Sequence, residues 1–149
     1  MKNIPNNLFF AWVEEEIANG REARIRVKGE SMYPFLRNGV DDVVVSPCRV
    51  EDLKLLDIVL FRYKGKHVMH RIVGMTEEGY TLQGDGVWAS QEYCKREDVV
   101  GKVVVICPPM KTSFPVTYCS WIFLGRICFG LRLFRRWLLR LCRLFRVRS

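Results

Sequence analysis

The chain has 149 residues, 49% apolar and 27% charged, with a formal net charge of +8. That length supports one core without disulfide or metal staples, and the apolar fraction excludes an intrinsically disordered chain. All sixteen acidic residues stand at or before Asp98, where the balance is −2, and ten basic residues with no acid follow; a near-neutral domain of roughly one hundred residues therefore precedes a cationic tail, and the whole-chain charge is no argument for nucleic-acid binding. No run of about 18 apolar residues is present, so an ordinary membrane span is disfavoured. No secretory leader is read, because Met1–Asn7 lacks an apolar core and Glu14-Glu15-Glu16 follows. The six cysteines, at 48, 94, 107, 119, 128 and 142, show no C-x-x-C spacing and stand apart from His67 and His70. They read as free thiols of a reducing compartment, without a zinc signature.

In chain order, residues 8–18 read as a short helix, capped by Asn7 and ended by Asn19-Gly20. Residues 22–28 alternate, with Ala23, Ile25 and Val27 set against Arg24, Arg26 and Lys28, which is a strand with one buried face. A turn-rich junction, Gly29 to Pro34, comes next, then the β-branched run Val43-Val44-Val45. Residues 57–63 and 67–73 form a hairpin about Lys64-Gly65-Lys66. A further strand covers 80–83, Gly84-Asp85-Gly86 breaks it, and 99–106 is a strongly apolar last strand before Pro108-Pro109. Short strands at roughly ten-residue spacing predict a mainly β fold, a curled sheet or partial barrel over 21–109 after an N-terminal helical segment, 1–20.

Three residues carry candidate chemistry. Ser31 follows a strand and precedes a proline turn, and a serine nucleophile needs a base within hydrogen-bond reach. His70 is the candidate base, because imidazole exchanges protons near neutral pH. Asp85 is the best-placed acid to hold the other ring nitrogen. On spacing alone the plainer reading is structural: a turn hydrogen bond, a sheet-edge histidine and an aspartate in a Gly turn.

Five short motifs shift that balance. Ser31-Met32-x-Pro34 with Leu36 and Gly39, Leu56-Asp57-Ile58-Val59, His70-Arg71-Ile72-Val73, Gln83-Gly84-Asp85 and Val100-Gly101-Lys102-Val103 occur in order over about residues 25–106. Together they resemble the boxes of the signal peptidase I and LexA-type serine peptidase superfamily. Histidine at position 70 is similar to the archaeal and endoplasmic-reticulum signal peptidases, where bacterial members place lysine. The resemblance implies a curled β domain with Ser31 as nucleophile, His70 as general base, Asp85 supporting His70, and the Ser31 N–H in the oxyanion hole. It implies no metal or organic cofactor. It also implies an extended peptide added along residues 23–28, with Ile25, Val27, Met32 and Tyr33 touching substrate and small side chains flanking the cut. Leu56 departs from the family's usual Gly, Gly29 from its common hydroxyl residue, and the usual N-terminal anchor is missing.

Lysine is the alternative base. Lys66 shares strand parity with His70 but lies roughly 13 Å away along the strand, and Lys64-Gly65-Lys66 reads as an exposed turn. His67 has the opposite parity and reads as an exposed polar strand residue. Met32, Tyr33 and Phe35 read equally as core around the turn or as groove lining.

From Trp121 the tail carries Ile127, Leu131, Phe134, Leu138, Leu141 and Phe145 at spacings of 4, 3, 4, 3 and 4, with Arg132, Arg136, Arg140 and Arg143 opposite. This amphipathic helix, residues 121–148, suits an anionic membrane surface; folding back on the domain, or a span over about 114–131, are the rivals. Its wide aromatic face argues against nucleic acid as a partner. The expectation is a membrane-associated serine endopeptidase of signal-peptidase-like type, working on peptide or protein substrates. The sequence favours the cytoplasmic face and the family resemblance the opposite one. The alternatives are a non-catalytic peptide-binding module on the same fold and a self-cleaving LexA-type regulator; the latter is weakened because no DNA-binding region precedes the sheet.

Overall fold

The computed structural model describes residues 6–87, 89–109 and 114–115. The chain divides into two units, Met1–Val116 and Thr117–Ser149, and every described residue belongs to the first. The predicted tail helix over 121–148 lies outside the described residues, as do Cys119, Cys128 and Cys142, while Cys48, Cys94 and Cys107 are free thiols.

Helix α1 (Asn6–Ala18) is followed by β1 (Ala23–Arg26), β2 (Asp42–Ser46), β3 (Ile58–Tyr63), β4 (Lys66–Met75), β5 (Gly79–Gln83), β6 (Glu92–Lys95), β7 (Val99–Cys107) and β8 (Phe114–Pro115). All strands pair antiparallel in one sheet of order β1-β2-β7-β3-β4-β5-β6, with β8 beside β7. The fold is mainly β: a curled sheet that does not close, with a short N-terminal helix. Register shifts at Val44/Val45, Leu60/Phe61 and Ile72/Gly74 are the bulges that add twist and bend. Among the described residues β1 and β6 are its two edges.

The uninterrupted apolar run Ile58-Val59-Leu60-Phe61 makes β3 the central strand, because its neighbours cover both faces. Ile58 and Leu60 join Val13 and Ile17 of α1, Ile25, Val43, Val45 and Val103. Val59 and Phe61 join Ile72, Tyr80, Leu82 and Cys94 on the other face. Each such side chain stabilises the fold by about 1.5–3 kcal/mol. The β3–β4 hairpin pairs Tyr63 with Lys66 across Lys64 (φ 48°) and Gly65 (φ 74°). Two left-handed residues in a two-residue link give a turn whose twist matches the strands.

Three expectations change. Helix α1 begins at Asn6, so Asn7 is a helical residue rather than its cap. Strand β6 was not foreseen, because Glu92-Tyr93-Cys94-Lys95 is only four residues of mixed polarity. The domain continues past Pro108-Pro109, since β8 pairs Phe114 and Pro115 with Ile106 and Val105. Leu56, where the resemblance expects Gly, has φ 76°. Its backbone is held there by its N–H on the Ile72 carbonyl (2.9 Å) and by Arg71 Nη1 on its own carbonyl (2.9 Å).

The segment between β1 and β2 is closed at its base by Val27 N–H on the Asp41 carbonyl (3.0 Å) and Gly39 N–H on the Val27 carbonyl (2.9 Å). Asp41 is 2% exposed. Its carboxylate accepts the Arg37 backbone N–H (2.8 Å) and two guanidinium nitrogens (3.1 and 2.6 Å). Arg37 thereby holds the Asp41 carboxyl below its ordinary value of 3.8, against the opposing effect of burial. Stability from this lowered group is fully present above the unfolded-state value and is lost as pH falls through the folded one. Asp41→Asn is expected to cost about 1–3 kcal/mol at neutral pH. Urea titrations at pH 7 and below pH 4 check this: the wild type loses more stability across that interval than the variant does.

Candidate active site

His70 stands opposite Val59 in the β3–β4 register, so its side chain shares the face of Val59 and Phe61. The ring is 6.0 Å from that of Phe61 and the residue is 4% exposed. Nδ1 lies 2.8 Å from Glu92 Oε2. A carboxylate accepts only, so the Nδ1 proton faces Glu92, and in the neutral ring the lone pair is on Nε2. Nε2 is buried and has no hydrogen-bond partner among the described residues.

What Nε2 faces is set by a glycine. The pairing of Arg71 with Gln83 places Gly84 next to His70. A Cβ on Gly84 would lie 3.1 Å from His70 Nε2, 3.0 Å from Ser31 Cβ and 2.4 Å from the Ser31 carbonyl oxygen. Ser31 and His70, 39 residues apart in sequence, therefore converge on a point that only a residue without a side chain leaves open. The Ser31 carbonyl accepts the Gly86 N–H (2.8 Å), and a Cβ on Gly86 would come within 2.9 Å of the carbonyls of Glu30 and Tyr33. The Gly84-Asp85-Gly86 turn is thus the seat on which the Ser31 turn rests.

Asp85 does not orient His70. Its two carboxylate oxygens take Arg71 Nε (2.8 Å) and Nη2 (2.7 Å), a bidentate pair with side chains only 7% and 11% exposed. The acid on His70 is Glu92, which the sequence reading missed. Glu92 pairs with Leu82, which pairs with Ile72, so all three share the face of His70. Its carboxylate reaches His70 Nδ1 from two strands away. The one sequence signal for it was an acid on a short strand after the Gly turn, and that strand was itself too polar to be read.

The other candidates fall as follows. Ile25, Val27 and Met32 are core residues that also line a groove of about 800 Å3, shared with Ser31, Leu60 and Met69 and walled by Phe9 and Phe10 of α1. Tyr33 is 59% exposed and stands outside that lining. Phe35 is buried with its ring 5.6 Å from the Arg71 guanidinium carbon. His67 is no exposed strand residue: it stacks on Phe10 (4.4 Å, 5°), bonds Glu14 (2.7 Å) and lines the groove from the face opposite His70. Lys66 pairs with Tyr63 at the hairpin and is exposed. The Ser31 N–H and hydroxyl make no hydrogen bond among the described residues. Gly29 has φ 86° and donates its N–H to Asn38 Oδ1 (3.1 Å), so a left-handed residue occupies the position of the family's hydroxyl side chain.

A scan against protein-family models gives no match to this chain, and a search of curated proteins gives none either.

Gly84→Ala tests the seat. Its Cβ would meet backbone oxygen, so denaturant unfolding is expected to show a loss of about 1–3 kcal/mol. Gly74→Ala is the control with a smaller loss, because its Cβ would meet only the Thr81 side chain at 3.2 Å.

Proposed function

We propose that this domain is a serine endopeptidase of signal-peptidase-like type, with Ser31 as nucleophile, His70 as general base and acid, and Glu92 as the carboxylate that orients His70. The observation that carries the reading is the convergence of Ser31 Cβ and the unpartnered, buried His70 Nε2 on Gly84, with a carboxylate on the far ring nitrogen. It joins the motif resemblance, which rests on different residues. In the proposed cycle, Ser31 Oγ attacks the scissile carbonyl as its proton passes to Nε2, and Glu92 steadies the imidazolium. His70 returns that proton to the leaving amine, and water then cleaves the acyl-enzyme by the same relay. The Ser31 N–H stabilises the oxyanion. The substrate lies extended along β1, and small side chains beside the cut are what the resemblance adds.

The same reading attaches the protein to an anionic membrane surface through residues 121–148, on the strength of their arginine-backed apolar stripe. No helix among the described residues is long and apolar enough to cross a membrane.

Hydrolysis of a peptide with small residues at the cut checks the mechanism. Ser31→Ala and His70→Ala are expected to lower kcat/KM by about 10³-fold or more, and Glu92→Gln to lower kcat by about 10²–10⁴-fold. Asp85→Asn acts on the fold instead, costing about 3 kcal/mol by leaving Arg71 buried and unpaired. Turnover that survives Ser31→Ala removes the hydrolase and leaves the peptide-binding module. For the tail, replacing Arg136, Arg140 and Arg143 with Gln in the full chain is expected to weaken sedimentation with phosphatidylserine vesicles by about 3 kcal/mol; unchanged partitioning removes the membrane anchor.

A further inference from the structure

The edge strand β1 presents two regular arrays. In the β1–β2 pair, Val27 directs both its N–H and its carbonyl toward the β2 side, to Asp41 and Gly39. Bonding direction alternates along an antiparallel strand, so Arg24, Arg26 and Lys28 direct their main-chain groups outward, to the open edge. Side chains alternate too. Ala23, Ile25 and Val27 are buried toward the core and groove, whereas Arg24, Arg26 and Lys28 are exposed on the other face.

The charge on that exposed face is not balanced. Asp42, opposite Arg26, is the carboxylate paired with Arg24 and Arg26, and both guanidinium groups remain more than half exposed. Lys28 donates to Asn6 Oδ1 at 3.3 Å and has no ion-pair partner among the described residues. Two of the three cations thus share one carboxylate, and the third has no acid partner among the described residues. Glu22 and Glu30 have the same parity but stand outside the three, one on each side.

We infer that β1 selects an extended peptide with acidic side chains at alternate positions and apolar ones between them, and that Arg24, Arg26 and Lys28 determine this specificity. The inference rests on the reading of the groove as a peptide site. A strand added at the open edge hydrogen-bonds the main chain of residues 24, 26 and 28. Its residues opposite them set their side chains on the cationic face, within cross-strand contact distance. The intervening residues turn toward Ile25, Val27 and Met32. A lysine-bearing strand in the same register meets like charge at each step.

The test uses the full chain carrying Ser31→Ala and three labelled peptides alternating valine with glutamate, glutamine or lysine about a central Ala-Ala. Fluorescence anisotropy at low salt is expected to show the glutamate peptide binding about tenfold more tightly than the glutamine one, an advantage that shrinks as salt screens it, with the lysine peptide weakest. Lys28→Glu, which disturbs no ion pair among the described residues, is expected to remove most of that advantage; Arg24→Glu gives a second reading at a paired site. Equal affinity for all three peptides, or tighter binding of the lysine peptide, overturns the inference. Cleavage of the same peptides by the wild type is read in parallel. Cleavage without charge preference overturns the specificity and leaves the peptidase, whereas glutamate-dependent binding without cleavage overturns the peptidase and leaves the specificity. Neither binding nor cleavage of any peptide overturns both.

Discussion

The ion pair between Arg71 and Asp85 ties the site to the sheet. Burying two charges costs several kcal/mol per ion, and their attraction offsets this only where every donor finds an acceptor. Here that condition is met: two guanidinium nitrogens take the carboxylate, a third takes the Leu56 carbonyl, and the guanidinium faces the Phe35 ring. One side chain therefore joins β4, the junction before β3, the turn after β5 and the segment that follows Ser31. The left-handed Leu56 belongs to the same knot, since its carbonyl serves Arg71. The turn beneath Ser31 is tied to the sheet because its aspartate pairs with Arg71.

Two acids thus divide two tasks. Asp85 ties its turn to Arg71, the Gly86 N–H of that turn holds the Ser31 carbonyl, and Glu92 engages the ring of His70. In the proposed reaction the division has a physical benefit. A carboxylate shared between a guanidinium and an imidazole would hold the ring less directly, whereas Glu92 accepts from Nδ1 at 2.8 Å and leaves Nε2 without a hydrogen-bond partner among the described residues. Gly84 keeps the other side of the ring open: its missing side chain leaves the gap between Ser31 and His70 Nε2.

The open edge at β1 is a liability in any sheet, because unpaired main-chain groups invite another strand. Arg24, Arg26 and Lys28 address it by repelling a second copy of the same edge. The same charges give the proposed specificity, so protection against self-pairing and choice of partner come from one set of side chains. Helix α1 contributes differently, placing Phe9 and Phe10 along the groove through Val13 and Ile17 in the core and the Glu14–His67 contact.

Much of this was legible from local pattern. Period-two alternation gave β1 and its faces, the apolar run within 57–63 marked a strand, and Lys64-Gly65-Lys66 marked the hairpin, because these features depend only on neighbours in the chain. Ser31 and His70 stood out through the motifs around them. Which acid meets His70 was not legible. Asp85 and Glu92 are both downstream carboxylates, and the choice depends on a register two strands wide and on a guanidinium that claims the nearer one. Sequence by itself determined most of the strands and the alternation of cations along β1, since these follow from residue type and spacing, while the motif resemblance singled out Ser31 and His70. Only the tertiary structure decided the acid, the seat at Gly84 and the half-buried role of His67, since those are contacts between segments that the chain brings together through strand order and packing.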